Sequence, residues 1–265
     1  MEVPFVGVCQ IPVLREIKDI DPWLEAISAE KDKCFWLFPE LFLGGFEYKH
    51  KETWVEKSLE LKEVMNSFSR KTGNILAGTL WNKKDGKYYN TFYLFTPDQG
   101  TLEIYSKIHL FLPGKENEYF TAGEYPPEPY IWKEIRMGFG ICHDLRFPEL
   151  FLYQHKDEPD IFIVNAQWPL ARIEHWQTLL KARAIENQCY VLACNGMGNS
   201  ALGRLAGNSC LISSWGKTAF ALGEEPGIKK ARLEEEVILD DRKMFDSRRS
   251  LFFDLNFKSG QKNRL

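Results

Sequence analysis

Apolar runs alternate with helix-like segments in both halves of the chain. Predominantly apolar runs without polar alternation predict strands that are buried on both faces, at 5–9, 34–38, 138–142, 160–166 and 189–195. Apolar residues recur at helical spacing in 61–68 and 171–188, and Gly73 ends the first of these helices. A further helix begins at Pro148 and extends to Lys156.

The middle of the chain has a different pattern. Three consecutive strands are predicted at 74–82, 87–97 and 101–109, and short turns that end in Gly join them as hairpins. Residues 113–129 are rich in Gly and Pro. We therefore expect an irregular loop there, lying over the site that the strand ends form.

The C-terminal part predicts one more hairpin and two short elements. Strands at 208–214 and 217–222 flank a Trp-Gly turn. A last strand is predicted at 237–239, where three apolar residues follow an acidic run. Asp240 is expected to cap a short helix that extends to Arg248.

The order of these elements predicts the fold class. Strands and helices alternate in both halves, with hairpins inserted between them, which indicates an α/β fold with mixed sheets. The chain contains no repeat of fixed period and no low-complexity linker. We therefore expect residues 1–265 to form a single domain, since a chain of this length can bury one sizeable core.

Composition and charge narrow the class of protein. The 265 residues are 44% hydrophobic with a net charge of −3, and charged stretches such as 224–232 mix signs, so no nucleic-acid partner is expected. The six cysteines form no CxxC pair, and we predict neither a metal site nor a cofactor. No secretory pattern opens the chain and no apolar run approaches a membrane span. We expect a cytoplasmic protein with free thiols and no membrane partner.

The candidate chemistry lies at predicted strand ends. Cys142 ends one buried strand, Glu40 follows another, and Lys107 lies near the end of the last hairpin strand. A thiol, a carboxylate and an ammonium suffice for acyl transfer through a covalent intermediate. Glu40 is a better candidate base than His143, because neighbouring side chains at a tight turn diverge and His143 directly follows Cys142. Backbone N–H groups after Cys142 are candidates to stabilise an oxyanion.

Three segments resemble, in order and separation, the signature segments of the carbon–nitrogen hydrolase (nitrilase) superfamily. They are Phe-Pro-Glu at 38–40, Lys-Ile-His-Leu-Phe at 107–111 and Gly-Ile-Cys-His-Asp-Leu-Arg-Phe-Pro-Glu-Leu at 140–150. The resemblance continues through 165–169 and 175–188 and so covers nearly the whole chain. Three separated motifs in the same order are far more specific than any one of them alone.

The resemblance implies a fold and a set of roles. The fold is a four-layer α-β-β-α sandwich with two mixed sheets, in a homodimer or a higher homo-oligomer. The family's catalytic Glu, Lys and Cys match Glu40, Lys107 and Cys142. Glu40 is expected to act as the general base and Cys142 as the nucleophile, while Lys107 and the backbone N–H of His143 hold the oxyanion.

Two further positions, the second glutamate and the residue after the nucleophile, add to this expectation. Many members of the superfamily have a second glutamate, which matches Glu116 here, with Glu118 as a near rival. Its expected role is to orient Lys107 and the substrate amide. The residue after the nucleophile is commonly tyrosine in the superfamily and is His143 in this chain. The backbone N–H survives that change, whereas the histidine side chain has no assigned role.

The segment around Trp168 and Arg172 is most similar to the ω-amidase branch of the superfamily. That resemblance implies hydrolysis of a small linear amide to acid and ammonia through a cysteine thioester. The expected substrate is the ω-amide of a 2-oxo dicarboxylic acid, 2-oxoglutaramate or 2-oxosuccinamate. Arg172 is a candidate to bind the distal carboxylate, and Trp168 is either a pocket wall or a core residue. Arg146 is as readily an ion-pair partner of Asp144 or Glu149 as a substrate ligand.

Other functions remain open at this point. The alternative within the superfamily is a nitrilase or an N-carbamoyl amide hydrolase. The alternative of another class is a non-catalytic binding or scaffold protein on the same fold, in which Cys142 is a buried structural thiol. A phosphate-binding α/β protein is disfavoured, because the Gly-rich segments 138–140 and 196–198 lack the longer phosphate-loop context.

Overall fold

The computed structural model describes residues 4–200 and 203–244, apart from the side chains of 235–239. The strands, in chain order, are β1 (Phe5–Gln10), β2 (Cys34–Leu37), β3 (Ile75–Lys84), β4 (Lys87–Thr96), β5 (Gly100–Ser106), β6 (Tyr130–Trp132), β7 (Ile135–Ile141), β8 (Ile161–Ala166), β9 (Tyr190–Asn195), β10 (Met197–Ser200), β11 (Gly203–Ala206), β12 (Cys210–Ile212), β13 (Thr218–Ala221) and β14 (Gly227–Arg232). The α-helices are α1 (Asp21–Ser28), α2 (Lys51–Thr72), α3 (Glu116–Tyr119), α4 (Pro148–His155), α5 (Ile173–Asn187) and α6 (Glu235–Met244). None of these helices is long and apolar enough to cross a membrane.

Two six-stranded sheets repeat the same plan. The strand order is β14-β1-β2-β3-β4-β5 in the first sheet and β13-β12-β9-β8-β7-β6 in the second. Three central strands are parallel in each, β1 to β3 and β7 to β9, and antiparallel strands flank them on both sides. Both sheets are therefore mixed, because antiparallel strands flank a parallel core.

Successive residues of the central strands point into two different cores. On β2, Phe35 packs between the two sheets, whereas Trp36 packs in the core that α1 and α2 cover. Phe92 of β4 lies against Phe139 of β7 with ring centroids 5.1 Å apart, so the two sheets pack face to face. Both faces of these strands are buried, which explains apolar runs without polar alternation.

Helices cover the outer face of each sheet. Leu61 and Met65 of α2 pack against the first sheet. On the second sheet, Phe151 of α4 lies edge-on to Phe162 of β8 with centroids 5.0 Å apart, and α5 buries Trp176 in the same core. These layers confirm the predicted α/β class and the four-layer α-β-β-α sandwich with two mixed sheets.

The C-terminal element differs from its prediction. Residues 237–239, predicted as a strand, lie in α6, which ends at Met244. Three apolar residues do not distinguish a strand from one helical turn, and the flanking Glu, Arg and Lys residues favour a helix. The helix predicted from Asp240 to Arg248 therefore starts earlier than expected, and its part beyond 244 lies outside the described residues.

Several elements, including β6, β10, β11, β14 and α3, have no counterpart in the predictions. β14 lies in the charged stretch 224–232 and pairs antiparallel with β1, where its lysines suit a sheet edge. β10 and β11 form a separate two-stranded ribbon. The predicted loop at 113–129 contains α3, a single turn that carries Glu116.

Candidate active site

The ends of strands from both sheets meet at one edge of the sandwich. β2 leads into Glu40 and β7 leads into Cys142, both at the carboxyl ends of parallel strands. Lys107 follows β5 of the first sheet. All three residues are buried. This edge is where α/β folds commonly place their ligand sites.

The Glu40 carboxylate is held by three donors. Its Oε1 accepts hydrogen bonds from Lys107 Nζ and from Asn90 Nδ2, both at 2.8 Å. Its Oε2 accepts the backbone N–H of Gln167 at 3.0 Å. These donors matter because a buried carboxylate without partners is strongly disfavoured. The next residue, Leu41, has a left-handed φ of 41°, so the chain turns sharply directly after the carboxylate.

The Lys107 ammonium bridges two buried glutamates. Its Nζ donates to Oε1 of Glu40 and to Oε1 of Glu116, each at 2.8 Å. Burial disfavours the charge of Lys107, but Glu116 and Glu40 outweigh it and raise the pKa of the ammonium well above its ordinary value. Burial raises the pKa of the Glu116 carboxyl, an effect that Lys107 opposes and Glu40 reinforces.

The structure separates the two glutamate candidates. Glu116 is buried beside Lys107, and its Oε2 also accepts the backbone N–H of Phe111 at 3.0 Å. The side chain of Glu118 is 51% exposed, and its nearest cation is Lys115 Nζ at 3.8 Å. Glu116 therefore occupies the position beside Lys107 for which the sequence left two candidates.

Cys142 stands at a sharp turn between β7 and a short 3-10 helix, Cys142–Arg146. It adopts a φ of 46°, which residues other than glycine rarely do. The first N–H groups of a helix have no acceptor within it, and the N–H of His143 is one of them. Burial raises the pKa of the Cys142 thiol, Glu40 adds to that shift and Lys107 opposes it. The resting sulfur is therefore a protonated thiol.

A buried carboxylate ties this turn to the lysine segment. Asp144 Oδ2 accepts the N–H of Ile141 at 3.2 Å and the hydroxyl of Tyr105 at 3.0 Å. Its Oδ1 accepts the backbone N–H of His109 at 2.9 Å and lies 2.8 Å from Nδ1 of that ring. Tyr105 and His109 flank Lys107, so Asp144 holds the lysine segment against the cysteine turn.

A cleft opens beside the cysteine. It is lined by Phe111, Glu116, Cys142, His143, Arg146, Gln167, Trp168, Pro169 and Arg172. Its acid, Glu116, is buried and already paired with Lys107, whereas its two arginines are partly exposed. The cleft therefore favours an anionic ligand.

The arginines of this cleft stack on aromatic rings. Arg146 Cζ lies 4.8 Å from the centroid of the Trp168 ring, and Arg146 Nη2 donates to Nδ1 of His175 at 3.1 Å. Arg172 Cζ lies 5.2 Å from the centroid of the Phe111 ring. Within 4–200 and 203–244, neither guanidinium forms an ion pair.

The ion pair considered for Arg146 with Asp144 or Glu149 does not form. Residues two apart in a 3-10 helix point about 120° away from each other, so Arg146 and Asp144 diverge. Asp144 is already saturated by Tyr105 and His109. Glu149 is exposed on α4. Arg146 therefore lines the cleft without pairing with either acid.

Comparisons with known proteins decide the family. The carbon–nitrogen hydrolase family model matches residues 5–240. The chain belongs to the carbon–nitrogen hydrolase family. It is 31% identical to 2-oxoglutaramate amidase of Bacillus subtilis (strain 168), over 83% of this chain and 85% of that protein. It is 33% identical to Omega-amidase YafV of Yersinia enterocolitica, over 90% of this chain and 89% of that protein.

A solved structure supports the fold. The crystal structure of XC1258 from Xanthomonas campestris, a CN-hydrolase superfamily protein, matches with a TM-score of 0.84 and 24% identity. The match covers 94% of this chain and 97% of that one. The predicted membership of the superfamily is confirmed, and with it the prediction of a hydrolase that acts on carbon–nitrogen bonds.

Trp168 forms a wall of the hydrolase cleft and is fixed by its neighbours. Asn195 Oδ1 accepts the Trp168 N–H at 2.6 Å, and Asn195 Nδ2 donates to the Trp168 carbonyl at 3.1 Å. The indole N–H donates to the carbonyl of Arg172 at 2.7 Å. Trp168 is both buried and part of the cleft lining, so it is a core residue and a pocket wall at the same time.

The His143 side chain lines the hydrolase cleft and lies among aromatic rings. Its ring is edge-on to Phe111 at 5.2 Å and to Phe147 at 5.3 Å between centroids. Burial, with the charges of Lys107 and Arg146, lowers the pKa of His143 to about 4. The imidazole is therefore neutral near pH 7 and adds no positive charge to those of Arg146 and Arg172 in the cleft lining.

Several polar residues of the hydrolase site were not predicted as such. They are Asn90, Asp144, Gln167 and Asn195, all buried, and each bonds a candidate side chain or the backbone beside it. The available signal was a polar residue in or at the end of a largely apolar strand, as at Asn90 in β4 and Asn195 at the end of β9. Such residues need internal partners, although the sequence does not say which.

Proposed function

We propose that this hydrolase cleaves the ω-amide of a 2-oxo dicarboxylic acid, 2-oxoglutaramate or 2-oxosuccinamate, to the acid and ammonia. The observation that carries the proposal is the pair Arg146 and Arg172, which line the Cys142 cleft without an acidic partner among the described residues. The names of two relatives, 2-oxoglutaramate amidase and Omega-amidase YafV, support the same substrate class.

The first half-reaction forms a thioester. Glu40 takes the thiol proton as Cys142 Sγ attacks the amide carbonyl carbon. The Lys107 ammonium and the backbone N–H of His143 stabilise the oxyanion of the tetrahedral intermediate. Glu40 then gives the proton to the leaving nitrogen, the carbon–nitrogen bond breaks and ammonia departs. A neutral resting thiol agrees with this order, because proton transfer accompanies attack.

The second half-reaction hydrolyses that thioester. Glu40 takes a proton from water as the water oxygen attacks the thioester carbon, and the oxyanion forms at the same place. The carbon–sulfur bond breaks, the proton returns to the sulfur of Cys142, and the dicarboxylic acid leaves. Lys107 serves both steps because its ammonium has three donors. Glu40 and Glu116 accept two of them, and the third remains for the oxyanion.

The distal part of the substrate lies between the arginines. A guanidinium presents a planar fork of donors that matches a carboxylate, and stacking on a ring limits its rotation. Arg146 is stacked on Trp168 and Arg172 on Phe111, so both forks are held before the ligand arrives. Arg146 and Arg172 therefore bind the 2-oxo acid end, while Trp168 supplies an apolar wall.

The experiment compares ammonia release from 2-oxoglutaramate, 2-oxosuccinamate and an uncharged linear amide. We expect turnover of the first two, little turnover of the third, and none with Cys142→Ala. Cys210→Ala is the matched control, because Cys210 is also a buried thiol but lies in β12. Equal activity of Cys142→Ala and wild type contradicts the covalent mechanism.

The same assays separate the alternatives. Hydrolysis of nitriles or N-carbamoyl amides without hydrolysis of the ω-amides assigns one of those substrate classes instead. An activated Cys142 should be alkylated faster than the other five thiols. Absence of both turnover and selective alkylation favours a non-catalytic protein on this fold.

We also propose that residues 1–265 act as one domain, in a homodimer or higher homo-oligomer in the cytoplasm. Apolar side chains exposed on the outer helices support self-association, with Leu152 of α4 38% exposed and Ile185 of α5 52% exposed. Sedimentation of the full chain measures the mass of the assembly. A fully active monomer contradicts the oligomer, and fractionation of cells tests the compartment.

A further inference from the structure

Three nitrogen donors occupy all but one of the acceptor positions of the Glu40 carboxylate, and the Cys142 thiol is a further hydrogen-bond partner of this side chain. A carboxylate offers about four such positions, two on each oxygen. Oε1 uses both of its positions, for Lys107 Nζ and Asn90 Nδ2 at 2.8 Å each. Oε2 uses one, for the Gln167 N–H at 3.0 Å. The remaining position therefore lies on Oε2.

Asn90 is a buried residue whose one side-chain hydrogen bond among the described residues is to the Glu40 carboxylate. It is 1% exposed in β4, and its Nδ2 donates to Glu40 while its Oδ1 has no partner among the described residues. A buried amide with an unpaired oxygen weakens the fold, so packing alone does not account for asparagine here. Its backbone carbonyl also accepts the Lys107 N–H at 2.8 Å. One residue thus aligns both the carboxylate and the lysine segment.

We propose that Asn90 is a positioning residue of this hydrolase. Together with Lys107 it saturates Oε1 of Glu40, so that Oε2 alone accepts the proton from Cys142 and, later, from water. Without the Asn90 donor, the carboxylate can rotate or bind a water at Oε1, and its basic oxygen no longer faces the sulfur in every molecule. The proposal rests on the proposed role of Glu40 as the general base. Asn90 acts through Glu40 and does not touch the substrate.

The test uses Asn90→Leu, which keeps the approximate size but has no donor. We expect kcat for the ω-amide to fall about tenfold to a hundredfold, the loss of one hydrogen bond to a charged group, with KM within about twofold. The second readout is the rate at which iodoacetamide alkylates Cys142 across pH. We expect Cys142 of Asn90→Leu to be alkylated about tenfold more slowly across the pH range, because the basic oxygen of Glu40 no longer faces the sulfur in every molecule.

Two further variants complete the design. Thr91→Val is the matched control, because the Thr91 hydroxyl bonds Ser106 at 2.9 Å and no group of the site, so its profile should equal that of wild type. Asn90→Asp keeps the shape and replaces the donor by a second acid. Its Cys142 should also be alkylated more slowly than that of wild type, because the amide donor to Oε1 of Glu40 is lost, and it gives the same reading if Asn90→Leu does not fold.

The outcomes are distinguishable. An alkylation profile equal to wild type in a folded Asn90→Leu variant overturns the positioning role, even if turnover falls. Alkylation does not depend on which amide is cleaved, so the proposed substrate can fail while the Asn90 result stands. If wild-type Cys142 is not alkylated selectively at all, the general-base role of Glu40 fails, and the proposals for function and for Asn90 fail together.

Discussion

Two groups of charged residues near Cys142 differ in whether their charges are paired. We call Glu40, Lys107 and Glu116 the floor of the site, and Arg146 and Arg172 its mouth. On the floor, Lys107 lies 2.8 Å from both Glu40 and Glu116, and all three side chains are shielded from solvent. At the mouth, Arg146 and Arg172 stack on aromatic rings and have no acidic partner among the residues described. The floor is complete without a ligand, whereas the mouth is not.

Solvent exposure explains the difference. A buried charge must be matched by the protein itself, because the cost of taking it out of water is large. A partly exposed guanidinium can be left to water until an anion replaces that water. The floor can therefore be prepared for chemistry in advance, and the mouth can be kept open for recognition. This contrast makes predictions that differ between the two regions.

The largest effect is expected for Lys107→Met, which removes the one cation of the floor. Two glutamates are then buried side by side, so we expect stability to fall by about 3–5 kcal/mol. Turnover should fall by about 10⁴-fold, because the oxyanion loses its charged donor and Glu40 loses its partner. Urea unfolding and ammonia release measure the two losses. Retention of wild-type stability contradicts the interpretation of a charge-balanced floor.

At the mouth we expect a loss of affinity and little change in stability. Arg146→Leu and Arg172→Leu should each lower kcat/KM for a 2-oxo acid amide by about a hundredfold, mostly through KM. The uncharged amide should be affected far less. Unfolding free energies should stay within about 0.5 kcal/mol of wild type, because neither guanidinium holds an internal ion pair. A large loss of stability with unchanged KM assigns the arginines to structure instead.

A smaller effect on turnover is expected for Glu116→Gln. The amide oxygen still accepts a bond from Lys107, but one negative charge of the floor is lost, so kcat should fall about tenfold. Glu118→Gln is the matched control, because that side chain is half exposed and lies away from Lys107. Steady-state kinetics of the two variants compares them directly. Equal losses contradict the separate positions of the two glutamates.

The smallest effect concerns pH and stability at His143. The pKa of His143 is about 4 in the fold, against an ordinary value of 6.5. As pH falls from 6.5 towards 4, the unfolded chain gains a proton that the folded chain does not, so folding stability decreases. His143→Phe removes that proton and should retain about 1 kcal/mol more stability at the acid end, after allowance for the part-exposed ring. Urea unfolding at several pH values measures it, and parallel curves for wild type and variant contradict the shifted pKa.

Local pattern was enough to predict much of the fold. The buried strands, the middle hairpins and the placement of Cys142 and Glu40 after strand ends depend on residues close in sequence, and these predictions agree with the structure. Local pattern was insufficient at 237–239, where three apolar residues suit either a strand or a helix. It was also insufficient for β14, whose charged composition hides an edge strand.

The sequence alone therefore determined the α/β class, the family resemblance and the candidates Glu40, Lys107 and Cys142, because motifs and periodicity are local properties. Only the tertiary structure decided which other groups complete the site. Asn90 meets Glu40 across 50 positions of sequence, and Gln167 meets it across 127. Burial and distance between remote segments select Glu116 over Glu118 and leave Arg146 without an acid, and no local pattern contains that information.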